Sequence, residues 1–335
     1  MHSGRITRTL QRWSDQWFRD VPTARLAVVR VLLGAYALHY LYERSGLFES
    51  LTRYRNFLFQ PVGLAHFLTG PLSANGLLAV YWSSVALGVC FIAGLAFRLT
   101  GPLFAVGSLF LLSYRNSWQM IFHTENLLAL HVLILSISQA GDALSIDALL
   151  GHRLAKNSSR QTLAAKFFQK NGTCSSWPLN LIIIVTSLAY FVAGVAKLAG
   201  PAGVAWIQGQ VVLNHVIVDA LRKDILGWQP SEVVAYVLDW KAAFWFFAIG
   251  TIILELGAPL FMLGRRLRYF WVVNVIAMHW GIFAIMGITF YFQMYGVAYL
   301  AFFPLEKLAA APLRMFKRFR HQEDSSVDNE EVAAA

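Results

Sequence analysis

Residues 179–199 read LNLIIIVTSLAYFVAGVAKLA. The stretch is long and apolar enough to cross roughly 30 Å of hydrocarbon as one helix, and it carries one charge, Lys197, near its end. Burying an ammonium costs roughly 2.5–3.5 kcal/mol on insertion scales, so a lysine there is a candidate functional residue. Desolvation favours the neutral amine, the form that takes up a proton. The plain alternative is that the four-carbon stem lies along hydrocarbon while the amine snorkels to the headgroups.

Seven further apolar runs extend this reading: Ala24–Tyr42, Gly76–Phe97, Pro102–Tyr114, Ile121–Ser138, Ala242–Leu263, Tyr269–Met286 and Ile288–Phe303. The 335-residue chain is 57% hydrophobic and 14% charged, against about 25% charged for a soluble chain. The predicted fold is an all-α, polytopic transmembrane helix bundle of about eight spans. Residues 1–23 form an amphipathic cytoplasmic segment, in which Ile6, Leu10, Trp13, Trp17 and Phe18 recur near helical spacing among arginines. Residues 24–305 form the membrane domain. Residues 306–335 form a tail, basic then acidic, whose polar end reads as disordered. The first run is too long for a signal-peptide core, and Tyr42–Glu43–Arg44 follows it in place of a small-residue cleavage site.

With eight spans, one set of alternate segments holds nineteen lysines and arginines and the other seven. Excess positive charge marks the cytoplasmic side, so both termini are expected there, in the plasma (inner) membrane. The net charge of +10 then reports topology and contact with anionic lipid; no nucleic-acid partner is expected. Cys90 lies within a span and Cys174 in the long, basic cytoplasmic loop, on different sides of this topology, so they are not expected to pair. No Cys/His cluster has zinc spacing, and no metal is predicted. The sequons at Asn157 and Asn171 fall in a cytoplasmic loop, out of reach of glycosylation.

Polar residues inside apolar segments are where chemistry is expected. His123, Glu125 and Asn126 open the fourth span at its outer end, and Lys197 closes the fifth at the same side, so the two sets are expected to share an outer cavity. Trp206, Gln208, Asn214 and His215 suggest a re-entrant or interfacial helix capping it. Glu255 needs a partner in the bundle, with Arg30 as a candidate, and His279 suits an interhelical hydrogen bond. His39 and His131 have no evident partner. Trp118, Tyr190 and Trp206 lie beside the polar residues and suit a flat, quinone-sized ring. There is no phosphate-binding loop, HExxH motif, desaturase histidine box or serine nucleophile elbow.

Tyr190–Leu198, YFVAGVAKL, with Trp206 and Gly209 after it, resembles the vitamin K-dependent γ-glutamyl carboxylases, and more closely the wider horizontally transferred transmembrane domain family that contains them. In the carboxylases a similar YF-x-AG-x-x-KL segment ends in paired lysines; here Ala196 replaces the first and Lys197 keeps the second. Trp118, His123 and Ser145-Ile146-Asp147-Ala148 parallel a W…H…S-V-D-G stretch. His279–Trp280 fits the later part of the family, and the resemblance covers most of residues 20–305. It implies that Lys197 is the base toward reduced vitamin K or another quinol, with O2 and CO2 as co-reactants. His123 would then assist the carboxylation half. The carboxylases carry a large extramembrane part that docks a propeptide; this sequence runs only shortly past its last span, so peptide recognition is not expected to follow their pattern.

The leading expectation is therefore a quinol-dependent carboxylase- or epoxidase-like lyase working at the outer face. Lys197 and His123 would be catalytic; Tyr190, Trp206 and Trp118 would line the quinone pocket; Glu125, Asn126, Glu255 and His279 would support it. The alternative is a non-catalytic membrane scaffold or maturation partner of a secreted peptide or protein. A transporter fits less well, because the polar residues gather toward one side.

Overall fold

Helix α1 (Thr23–Glu43) is followed by the short α2 (Ser45–Leu51), then by α3 (Ala74–Ala93) and α4 (Phe97–Asn116). The computed structural model describes residues 14–15, 17–118, 125–157 and 172–307. Helices α5 (Asn126–Ser136), α6 (Ile146–Asn157) and α7 (Trp177–Ala199) come next. After them run α8 (Gln210–Ile225), α9 (Val233–Asp239), α10 (Lys241–Leu256), α11 (Ala258–Phe261), α12 (Arg265–Met286) and α13 (Tyr291–Met294). Among the described residues, five helices are long and apolar enough to cross a membrane: α1, α3, α4, α7 and α12. A sixth crossing arises if α9 and α10, bent by 102°, count as one. Phe270, Val273 and Trp280 on α12 are exposed, an outward apolar surface that suits lipid and not water.

The eight predicted runs do not all become continuous helices. Of the fourth, Ile121–Ser138, the described part is the eleven-residue α5. The sixth breaks at Gly257, before Pro259, into α10 and α11, since a proline cannot continue the hydrogen-bond ladder of the preceding turn. The eighth, Ile288–Phe303, is α13 followed by a 3-10 turn at Val297–Phe302. The third is longer than predicted. Its first turn is held by Asp147, whose carboxylate accepts the Ala96 and Phe97 N–H groups at 2.7 and 2.8 Å. A buried carboxylate at a helix start satisfies orphan donors and complements the helix dipole. No local pattern reveals an anchor fifty positions downstream.

Arg30 is fully buried in α1. It donates to the carbonyls of Ile92, near the end of α3, and of Ala140, Ala143 and Leu144, beyond α5. Arg30 thus collects acceptors at helix ends while Asp147 collects donors at a helix start, around one loop junction. Ser145, in the same motif, donates to the Gly141 carbonyl and accepts from the Ala148 N–H.

One departure from an all-α fold is a two-stranded ribbon. Strands β1 (Asp20–Pro22) and β2 (Thr173–Ser175) pair antiparallel, with Val21 opposite Cys174. The ribbon ties the start of α1 to the start of α7. Cys174 and Cys90 are free thiols, and burial pushes the Cys174 thiol up to about 11, away from reactive thiolate. The predicted amphipathic helix through Trp13, the sequon loop over 158–171 and the tail beyond 307 lie outside the described residues.

Candidate functional site

Helix side chains lean toward the N-terminus of their helix, so a lysine near the end of α7 can reach back into the bundle. Lys197 does this. Its Nζ donates to both carboxylate oxygens of Glu255 on α10, and the side chains retain 21% and 6% exposure. The ammonium is therefore turned inward rather than snorkelling out. Glu255 does not pair with Arg30, which is satisfied by backbone carbonyls instead. Gly194, one turn before Lys197, makes the approach possible: a methyl group there would sit 3.0 Å from Glu255 Cβ and 3.0 Å from Leu256 Cγ.

The pair opens on a half-enclosed cavity of about 260 Å³. Tyr190 and Ala193 line it from α7, Met278, His279 and Ile282 from α12, and Leu127 from α5. Phe290 and Gln293, before and within α13, close another wall. His279 Nδ1 lies 2.6 Å from the Val275 carbonyl of its own helix. The bond is intrahelical, where an interhelical one was predicted, and it places the proton on Nδ1, leaving Nε2 as the acceptor of the neutral ring. The Tyr190 hydroxyl pairs with that of Tyr299, and its ring meets Trp271 edge-on at 5.0 Å. This leaves a mostly apolar chamber with a few convergent polar groups, the usual make-up of a small-molecule site.

The structure brings Lys197, Glu255, His279 and Tyr190 together, with the Trp206 ring 5.5 Å from the Lys197 ammonium. Gly209, which closes the Trp206 turn, has φ +78° and lies so near α10 that a methyl group would meet the Trp245 nitrogen at 2.6 Å. Only glycine satisfies both demands. Trp206 also packs on His215 of α8 at 5.6 Å. Trp118 is elsewhere: it is buried against Phe59, with ring centroids 5.1 Å apart, and Tyr54, at 5.7 Å, and does not line the Lys197 cavity. The structure joins Glu125 to Arg115 at 3.1 Å and Arg44 at 3.6 Å, in a smaller cavity that shares Phe290 and Gln293 with the first. Asn126 opens α5 with an exposed side chain, and His123 lies outside the described residues. His131, without an evident partner in sequence, meets Thr186 Oγ1 at 3.0 Å.

Sequence reading passed over Met278, Ile282, Leu127 and Phe290, because apolar wall residues look like any others in a span. Gln293 is a polar residue within the apolar run Ile288–Phe303, a signal that does not say which cavity it faces. Among the described residues no group of three His, Cys, Asp or Glu is placed to hold a metal ion.

Comparison with curated proteins and with solved structures gives no match. The model of the HTTM domain, by contrast, matches residues 18–306, which span almost all of the described bundle. The chain is therefore an integral membrane protein that belongs to the HTTM domain family, the membrane domain of vitamin K-dependent carboxylase-like proteins.

Proposed function

We propose that this protein is a carboxylase-like membrane enzyme that uses a reduced quinone, with Lys197 as the residue that takes the ring's proton. The observation that carries the reading is the Lys197 amine set in an apolar chamber against a carboxylate, on the lysine of the family motif. The chamber fits the group. At about 260 Å³ it lies just below the roughly 300–1,000 Å³ of sites for drug-sized ligands. It suits a ring headgroup whose tail lies among the lipid-facing helices. Tyr190 and Phe290 offer aromatic walls, and Gln293 and His279 offer hydrogen bonds. When bound, a reduced quinone supplies an acidic ring hydroxyl and the electrons for reaction with oxygen that drives carbon dioxide fixation in the carboxylases.

An ammonium is not a base, so the Lys197 proton must first be placed elsewhere, and Glu255 is in bonding contact to receive it. Transfer within the pair replaces two charges by two neutral groups, which the mostly apolar lining of the chamber favours. Lys197 Nζ then holds a free electron pair. On taking the ring proton it becomes an ammonium again, beside the negative charge it has created. Met278, Ile282 and Leu127 give the site its apolar wall. His123 serves the carboxylation half on this reading. On this reading the membrane is the plasma (inner) membrane, crossed among the described residues by five helices, or six with the bent α9–α10 pair, and the acceptor is a peptide or protein presented at the outer face.

The test is quinone epoxide formation and labelled carbon dioxide incorporation in membranes supplied with reduced vitamin K. Lys197→Ala and Glu255→Gln should each lower turnover by about 10²–10⁴-fold, the usual worth of a positioned acid or base. Equal turnover by the unaltered chain and Lys197→Ala ends the assignment. The position of the pair, on the α7–α10 seam, also favours the second reading, a non-catalytic maturation partner in which the charges only hold helices together. There the doubly apolar variant, Lys197→Leu with Glu255→Leu, would keep full partner binding.

A further inference from the structure

A third cavity, of about 380 Å³, lies at the other end of α7. Ile183 marks its reach along that helix, about 21 Å of helical rise from Lys197, so the two chambers are separate. Arg19, Arg25, Arg265, Arg268 and Lys307 line it, and among the described residues Glu306 is the one carboxylate of the lining. Arg25 already holds Glu306 in a two-point pair at 2.6 and 2.7 Å, leaving four cations with no carboxylate among the described lining residues. Arg265 donates from Nε to the Tyr269 hydroxyl at 3.1 Å, which offsets no charge. Arg268 gives one weak bond to the Met262 carbonyl at 3.3 Å, and its Nε is buried with no partner among the described residues. A buried donor left unmade is costly, and four cations around one basin repel one another. Both facts call for an anion.

We propose that this basin binds the phosphate of an anionic lipid headgroup. Guanidinium forks match phosphate oxygens in number and direction, and basic pockets between membrane helices are suited to such headgroups. The lipid source follows from the rest of the wall: Leu179, Ile183 and Phe302 continue the same cavity as an apolar face, where an acyl chain can lie below its headgroup. A free phosphate ion would have no use for that face. The β1–β2 ribbon builds the site by drawing Arg19 and Arg25 to the start of α7, where the Ser176 N–H donates to the Arg19 carbonyl at 2.8 Å.

The experiment uses the full chain in detergent, mixed with phosphatidylglycerol or phosphatidylcholine and read by retained lipid in native mass spectrometry. The unaltered chain should retain phosphatidylglycerol preferentially, and millimolar inorganic phosphate should not displace it. Removing cations should weaken that preference by roughly fivefold each, so Arg265→Gln with Arg268→Gln should nearly abolish it. Lys307→Gln, at an exposed position, supplies the same readout if the double variant does not fold. Equal retention of both lipids overturns the proposal, and so does an unchanged preference in the folded variants. Displacement by inorganic phosphate overturns the lipid assignment in favour of a free-anion site.

Discussion

Lys197 on α7 and Glu255 on α10, 58 positions apart, meet as a two-point ion pair inside the helix bundle. Arg30, Lys197 and Glu255 are charged residues within predicted spans, and the structure satisfies them in two ways. Arg30 is neutralised by carbonyl dipoles at helix ends, and the other two by each other. Only the second solution leaves a titratable pair on a cavity.

Breaking the pair from one side should be worse than removing it. Lys197→Leu or Glu255→Leu alone leaves a buried charge uncompensated, at about 3–5 kcal/mol, whereas the double leucine variant should recover most of that loss. Thermal unfolding in mixed micelles measures both. Equal stability of the single and double variants would show that the charges are not coupled.

Gly194 should tolerate little. Its place against Glu255 and Leu256 leaves no room for a branched side chain, and Gly194→Val should cost roughly 1–3 kcal/mol through overpacking. Gly194→Ala should cost less. A valine variant of unaltered melting temperature would mean that the α7–α10 seam is looser than described.

The motif Ser145–Ala148 should prove structural. Asp147→Ala removes the acceptor for two N–H groups at the start of α4 and should cost about 1–2 kcal/mol, as a lost cap does. Arg30→Met, which strands four carbonyls, should cost at least about 2–3 kcal/mol. Neither position borders the Lys197 chamber. Loss of activity in Asp147→Ala without loss of stability would give the motif a chemical role instead.

Stability should fall in acid through Glu306. The hydrogen bond from Arg25 holds this carboxyl below its ordinary 4.5, against the opposing effect of burial. A depressed carboxyl stabilises the fold above its unfolded value, and that contribution is lost as pH falls through the folded one. Melting temperature should therefore decline from about pH 5 downward, more steeply in the unaltered chain than in Glu306→Gln. Parallel curves would remove Glu306 from the account.

The long apolar runs gave α1, α3, α7 and α12 away because hydrocarbon demands about 20 apolar residues per crossing, whatever the rest of the fold does. Lys197, Glu255 and His279 were legible as candidates for the same reason, since polar groups in such runs are costly enough to need a purpose. The YFVAGVAKL motif pointed to the lysine, and its Gly194 lies against α10, where a methyl group would meet Glu255 and Leu256 at 3.0 Å.

Sequence could not match the charges, because pairing Lys197 with Glu255, and leaving Arg30 to backbone carbonyls, depends on which helices lie side by side. Nor could it separate Trp118 from Tyr190 and Trp206: all three are aromatic neighbours of polar residues along the chain, yet Trp206 lies 5.5 Å from the Lys197 ammonium and Tyr190 lines its cavity, while Trp118 does neither. Hydrophobic length is a local property and can be read residue by residue. The partner of a buried charge, and the wall of a cavity, exist only after distant helices have packed, and that choice belongs to the tertiary structure.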